Sequence, residues 1–286
     1  MKKCAIIANG YYHGAAMTDQ IRSICRELEK LKVSVDIIYT DKLIVFLSER
    51  EVLSLAGDYD FILFLDKDPY ISHMLEKAGC VLYNSADAIE LCDDKMKTLI
   101  ALAESGLNVP PTVASPLNYV GSPDAFYEEV EFLCYPVVVK EVYGSMGKGV
   151  FIANDREELI ALRSKLIKVP HLYQKFIGSG GRDIRVIVIG KKAIGAMERI
   201  NTQDFRSNIE LGGVGANFVL TEEVKAVAER AATVLDLDYC GVDILVENGK
   251  YYISEVNSNA FFKGFEAATK INVAKLYAEY LVTKNS

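Results

Sequence analysis

The stretch that most constrains this chain lies near its C-terminal end, where GVDILVENGKYYISEVNSN runs from Gly241 to Asn259. Two apolar runs of strand length flank Asn248-Gly249, a dipeptide that marks a tight hairpin turn. On these strands sit Asp243, Glu255 and Asn257, three oxygen donors of the kind that hard divalent cations take. The alternative is a surface hairpin whose charges face water. Parity separates the two. A two-residue turn pairs Glu247 with Lys250, hence Asp243 with Ser254, and sends Glu255 to the opposite face. A three-residue loop, or one bulge, pairs Asp243 with Glu255 and brings Asn257 beside them. A metal site here therefore requires an odd loop or a bulge.

The totals bound what such a hairpin can serve. A chain of 286 residues has room for roughly two or three domains and a sizeable core. Its 50% hydrophobic and 25% charged residues are ordinary for globular proteins and argue against long disorder. The net charge of -7 argues against a nucleic-acid backbone as main partner, so any anion must be held by local basic groups. The apolar run in MKKCAIIANGYYHG is too short for a signal peptide, and no later run is long enough to span a bilayer. The expectation is a cytoplasmic protein without a membrane partner. Six cysteines (Cys4, Cys25, Cys80, Cys92, Cys134, Cys240) form no C-x-x-C pair and sit beside apolar residues, which points to buried free thiols. His13, His73 and His171 are too dispersed for a histidine-based site.

Lys3–Ala8, Val33–Tyr39 and Phe61–Leu65 read as strands, with a helix opened by Asp19 between the first two. This is a βαβ pattern, so the first ninety or so residues read as a small parallel α/β domain. Its Asn9–Gly14 loop lacks a dinucleotide fingerprint and reads as a strand-to-helix loop lining a cleft. Asp93 reads as the cap of a helix whose inward face is Met96, Leu99, Ile100 and Ala103. Lys95 then falls in the first turn, where the helix dipole disfavours a cation. It is either paired with Asp93 or Asp94, or aimed at an anion. Val137–Lys140, a glycine-rich loop Gly144–Gly149 and Val150–Ala153 form a hairpin; the loop offers free backbone N–H groups to phosphates but lacks Walker A spacing. Its alternative is a flexible hairpin tip. Lys140 closes an apolar strand and needs a negative partner. Asn154 reads as the cap of the next helix, and Leu172–Ile177 as an edge-like strand. A hinge-like Gly178–Gly181 loop leads into a hairpin on which Ala193, Gly195, Met197 and Arg199 share one face. Boundaries fall near Cys92 and Tyr173, giving units 1–91, 92–172 and 173–286.

In order, DDKMKT, PVVVK with GSMGKGV, QKFI, RDIRV, MERI, DFRSN before a double glycine, GVDIL and EVN make the chain resemble an ATP-grasp carboxylate–amine ligase, closest to RimK-like glutamate ligases and LysX-like relatives. The resemblance runs from Cys92 to the C-terminus. It implies an α+β ATP-grasp fold, two subdomains sandwiching ATP behind the N-terminal α/β domain. It places Lys95 and Lys140 on the phosphates and closes Ser145 and Gly147 over them. The hinge Gln174, Lys175, Phe176 and Ile177 lies along adenine, and Asp183 faces the ribose. Asp243, Glu255 and Asn257 are implied to bind magnesium or manganese, two ions in all. Arg206 and Asn208, with Arg199, are implied where phosphoryl group and acyl substrate meet.

The function so implied is an ADP-forming ligase that makes an amide through an acyl phosphate, joining an amino acid such as glutamate to a small-molecule or peptide partner. The alternative is an ATP-binding module or sensor without ligase activity. Two departures stand out: Lys175 occupies a position where RimK-like hinges carry glutamate, and Ser258-Asn259-Ala260-Phe261-Phe262-Lys263 replaces a Ser-Pro-Gly run. Asn259 and Lys263 are thereby candidates for touching substrates. Homo-oligomers are common in such families; the residues themselves leave the oligomeric state open.

Overall fold

The computed structural model describes every residue except Leu55 and Ser179, so the Ser179 part of the expected hinge loop lies outside the described residues. The N-terminal apolar runs become β1 (Lys3–Ala8) and β2 (Ser34–Tyr39), parallel and joined by α1 (Ala15–Lys30). Gly14, not Asp19, stands at the start of α1, whose buried face is Met17, Gln20, Ile21, Ile24 and Leu28. A small hairpin, β3 (Val45–Ser48) and β4 (Glu51–Ser54), precedes β5 (Phe61–Leu65), which returns to the other side of β1. After α2 (Pro69–Lys77), β6 (Leu82–Tyr83) completes a parallel sheet of order β2-β1-β5-β6. Winding thus reverses between β1 and β5. Ligand crevices of open parallel sheets lie outside the carboxyl ends of the strands at such a reversal. The Asn9–Gly14 and Asp66–Asp68 loops meet there, with Asn9 Nδ2 donating to Asp66 Oδ2 at 3.0 Å.

Two short helices follow, α3 (Ala86–Asp93) and α4 (Lys95–Glu104). The cap of α4 is Asp94, whose Oδ1 accepts from the amides of Met96 (3.0 Å) and Lys97 (2.9 Å). Asp93 ends α3 instead and pairs with Lys67. The buried face of α4 is Lys95, Thr98, Leu99 and Leu102, while Ile100 is exposed. Tertiary packing, not the apolar spacing alone, chose that face, and it turned Lys95 inward.

The middle of the chain forms β7 (Thr112–Ala114), β8 (Val137–Glu141), β9 (Val150–Ala153), α5 (Arg156–Lys165) and β10 (His171–Lys175). The sheet order is β7-β10-β8-β9, all antiparallel, so β10 is internal rather than an edge. The short β7 behind Pro110-Pro111 takes the edge, where a proline-stiffened segment is tolerated. The break between sheets consequently falls after Lys175, later than Tyr173. Asp155 caps α5, accepting from Glu158 N at 2.9 Å; Asn154, the residue expected there, donates its amides to Glu158 Oε2 (2.8 and 2.9 Å).

The third sheet runs β11 (Arg182–Ile189), β12 (Lys192–Ile200), β13 (Val214–Phe218), then α6 (Glu222–Val234), β14 (Tyr239–Glu247) and β15 (Lys250–Asn257), before α7 (Lys263–Thr269) and α8 (Val273–Lys284). Its order is β13-β12-β11-β14-β15, antiparallel throughout. Period-two alternation divides its faces. Ile184, Val186, Val188, Cys240, Val242 and Ile244 pack with α6. On the other face Ile187, Ile189, Met197 and Tyr239 join α7, α8 and the apolar face of α1 in one core. Ile187 faces Gly195 whereas Val188 faces Ala193, so Ile194 is an extra residue in β12. That bulge takes Ala193 off the face of Gly195, Met197 and Arg199 and packs it with the α6 cluster. Among the described residues all six cysteines are free; Cys134 is exposed, contrary to expectation, and Cys25 and Cys80 are only half-buried.

Candidate active site

The hairpin resolves its parity through a bulge. Glu247 pairs with Lys250 across a two-residue turn in which Asn248 and Gly249 both take positive φ (51° and 75°), the backbone that matches strand twist. Ile244 pairs with Ile253 and Asp243 with Glu255, leaving Ser254 as the extra residue, and Gly241 pairs with Asn257. Ile253 and Val256 can then both reach the α6 core while Glu255 and Asn257 stay on the face of Asp243.

On that face the polar end of the sheet holds four buried charges. Arg185 on β11 grips Asp243 with two N–H groups, one of them Nη2 to Oδ2 at 2.7 Å. Arg199 Nη2 lies 2.8 Å from the same oxygen, and Arg199 Nε donates to Asp183 Oδ1 at 2.7 Å. Two carboxylates and two guanidiniums balance. Burial works to raise the Asp243 carboxyl, but the two arginines hold it below its usual range. Arg199 is raised well above the ordinary arginine range against its own desolvation, by Asp243 and Asp183.

Beside this network lies a cavity of about 100 Å³ between the second and third sheets. Its walls include Lys95, Lys140, Gly147, Gln174, Lys175, Phe176, Ile177, Asp183, Arg199, Arg206, Asn208, Asp243 and Glu255. The structure thus gathers nearly every residue expected on the nucleotide; Ser145 is the exception and lines a different cavity. Burial pushes the Lys140 ammonium down to about 8, against the pull of Glu255. Lys140 Nζ donates to the Ser254 carbonyl (3.4 Å), which the bulge presents. Lys95 Nζ lies 3.8 Å from Glu255 Oε1 and donates to Gly144 O at 2.8 Å. Arg206 Nη1 donates to Gly147 O at 2.9 Å, so the glycine-rich loop is tied down at two carbonyls. Gln174 Nε2 is spent on Thr112 Oγ1 (3.0 Å), and Lys175 Nζ stands 3.6 Å from Glu247 Oε2.

A second cavity, about 240 Å³, opens on the other side of the same residues. Its walls come from the first unit (Asn9, Tyr12, Asp66, Lys67), the loop (Ser145, Met146), the third sheet (Arg185, Asn257) and the turn after β15 (Asn259). Arg199, Asn208 and Glu255 line both cavities. Tyr12 Oη donates to Met146 Sδ (3.6 Å), joining the first unit to the loop tip. The Asn9–Gly14 loop therefore does line a cleft. Asn259 reaches the cavity wall, with its amide held by Gln20 Nε2 (2.7 Å) and donating to Leu65 O (3.0 Å). Lys263 does not reach it: its side chain is exposed and paired with Asp19.

A RimK-like ATP-grasp domain matches residues 92–281. The chain belongs to the RimK-like ATP-grasp family. N-acetylaspartylglutamate synthase A of Homo sapiens is 38% identical over 225 residues, covering 76% of this chain and 56% of that protein. The chain thus spans little more than half the length of that relative. Glutamate–LysW ligase ArgX of Sulfurisphaera tokodaii is 30% identical over 271 residues, 90% of this chain and 92% of that one. A crystal structure of D-alanine–D-alanine ligase from Bacillus anthracis complexed with ATP superposes with a TM-score of 0.74 at 20% identity, covering 100% and 99% of the two chains. That last likeness establishes the ATP-grasp fold.

Whether this ATP-grasp site fits a hard cation can be read from its donors. Glu255 is partly open, and Asn257 lines the second cavity with it, its amide oxygen being the atom a cation would take. Asp243 has about four lone-pair sites, of which Arg185 and Arg199 use three. One carboxylate, one amide and one remaining site on a second carboxylate fit a magnesium ion that keeps waters and phosphate oxygens in its shell. No group of three or more His, Cys, Asp or Glu that could hold a metal ion gathers among the described residues.

Asp66, Lys67, Tyr12, Met146 and Arg185 were not singled out from the sequence. Arg185 was within reach, since it lies two residues from Asp183 and so shares its face of the strand. Asp66 and Lys67 follow an apolar run, but which strand ends face the cleft depends on strand order.

Proposed function

We propose that the chain is a magnesium- and ATP-dependent, ADP-forming carboxylate–amine ligase that joins an amino acid such as glutamate to a small-molecule or peptide partner. The observation that carries this reading is the shared wall: Arg199, Asn208 and Glu255 border both the cavity of the expected nucleotide residues and the cavity reached from the first unit. A carboxylate lying against that wall faces the end of the triphosphate, as phosphoryl transfer to an acyl oxygen needs. The acyl phosphate so formed gives up phosphate when an amine attacks its carbonyl carbon.

Magnesium, when bound, neutralises phosphate charge. Lys140, Lys95 and Arg206 bring positive charge to the phosphates without chemistry of their own, and Asn208 and Arg199 hold the transferred group in line. The glycine-rich loop, tied at Gly144 and Gly147, excludes water that would hydrolyse the acyl phosphate. The named relatives support glutamate as an amino-acid substrate. The same reading takes manganese as a substitute ion, two ions at Asp243, Glu255 and Asn257, units divided after Lys175, and a cytoplasmic protein without nucleic-acid or membrane partners. No described helix is long and apolar enough to cross a membrane.

The test is direct. Purified protein with ATP, magnesium, L-glutamate and a panel of carboxylates and amines should release ADP and phosphate together with an amide detectable by mass spectrometry. ATP-raised melting with no ADP under any combination would instead favour a nucleotide-binding module.

A further inference from the structure

The switch-point crevice of the first sheet opens into the second cavity, and two consecutive residues there carry opposite charge. Asp66 follows β5 and lines the cavity. Its carboxylate accepts from Asn9 Nδ2 and from the Lys67 amide (2.7 Å), and it forms no ion pair among the described residues. Lys67 lines the same cavity and pairs with Asp93, which leaves an ammonium with two further donors. Its side chain is two-thirds covered (34% exposed), so a ligand that reaches it is read in a partly desolvated setting. The other cations of this cavity, Arg185 and Arg199, are already offset in charge by Asp243 and Asp183. An uncompensated carboxylate beside a cation with donors to spare suits a ligand that is itself a zwitterion.

Resting on the ligase reading, we propose that Asp66 and Lys67 are the specificity-determining pair for the amino-acid substrate, Asp66 taking its α-ammonium and Lys67 its α-carboxylate. The rest of the cavity fits this division. Met17, Leu65, Met146, Met197 and Phe261 give the cavity apolar walls, and Tyr12, joined to Met146, lines it as well. The first unit thus does more than support the fold: its switch-point loops choose the amine partner, while the second and third sheets hold the nucleotide. The neighbouring residues constrain the assignment. Asp66 is steadied by Asn9 from the loop after β1, so both loops at the reversal act on one carboxylate.

The test uses the full chain loaded with magnesium and a non-hydrolysable ATP analogue, titrated by calorimetry with three probes. L-glutamate carries both groups, N-acetyl-L-glutamate lacks the ammonium, and glutamic acid α-amide lacks the α-carboxylate. Wild type should bind L-glutamate on the order of tenfold to a hundredfold more tightly than either analogue, the worth of one charged hydrogen bond. Lys67→Met should erase the preference over the α-amide only, and Asp66→Asn the preference over the N-acetyl compound only. Lys67→Arg should restore part of the first. Variants that weaken all three probes alike, with the wild-type ratios intact, would show the pair to be structural and overturn the proposal. Wild type that binds none of the probes overturns it too, whereas ADP release with some other amine would leave the ligase reading standing.

Discussion

Arg199 offers the most decisive perturbation, because the structure gives it two buried partners and almost no water. It is 4% exposed and shared between Asp183 and Asp243. In Arg199→Met, Asp243 keeps Arg185, but Asp183 is left 7% exposed with no cation in contact. Breaking a buried pair from one side costs about 3 to 5 kcal/mol, since the remaining charge keeps its desolvation penalty. For a chain of this size that is a melting shift on the order of 10 °C. Neutralising the orphan should recover much of it: Arg199→Met with Asp183→Asn is expected to be more stable than Arg199→Met alone by about 2 kcal/mol. Scanning calorimetry and urea unfolding of wild type, both single variants and the double variant close the cycle. The loss should persist at high salt, because screening reaches buried pairs poorly. A single variant that loses less than about 1 kcal/mol, or a double variant no better than the single one, would refute the network as a stabilising unit.

Two further expectations follow from the nucleotide cavity. Burial sets Lys140 at about 8, well below the ordinary lysine range, so phosphates that favour its ammonium should drive proton uptake on binding above that pH. ATP affinity is then expected to fall by up to about tenfold per pH unit beyond 8, a trend Lys140→Met should flatten in calorimetry. The sign for stability is opposite: between about 8 and the free-lysine range the unfolded chain binds more protons, so the burial penalty eases as pH rises. At Gly147, φ is +72° and a Cβ would sit 2.9 Å from Leu211 Cδ1 and 3.1 Å from Asn208 Oδ1. Gly147→Val should lift the loop and raise the ratio of ADP released to amide formed, measured by coupled assay and mass spectrometry.

Much of this site was legible because strand geometry counts in twos. Asp243, Glu255 and Asn257 could be placed on one face, and the requirement for an odd loop or a bulge stated, from the turn and the parity alone. That the irregularity would be Ser254 could not, because its position depends on Ile253 and Val256 both seeking the α6 core. The bulge at Ile194 gave no such signal, and Ala193 was assigned to the wrong face for that reason. Consecutive acids defeated the cap assignment. Asp93 and Asp94 are equally good caps in isolation, and only the presence of α3, which ends on Asp93, decides for Asp94. The placement of β10 inside its sheet rests on a three-residue partner, β7, too short to read from propensity.

The loop over the nucleotide cavity shows why its cations recur in both roles. Lys95 and Arg206 donate to Gly144 O and Gly147 O, neutral acceptors that any charged phosphate oxygen outbids. On the proposed reading, triphosphate takes these donors on entry, and the loop gains in exchange phosphate contacts of its own N–H groups, which then hold it over the site. Met146, Gly147 and Gly149 take positive φ, a backbone in which neighbouring N–H groups can converge on one anion. Met146 reaches the first unit at Tyr12, so a loop that shifts toward phosphate also shifts the roof of the second cavity. The two cavities are in this way joined twice, through the shared wall of Arg199, Asn208 and Glu255 and through one loop that reaches both.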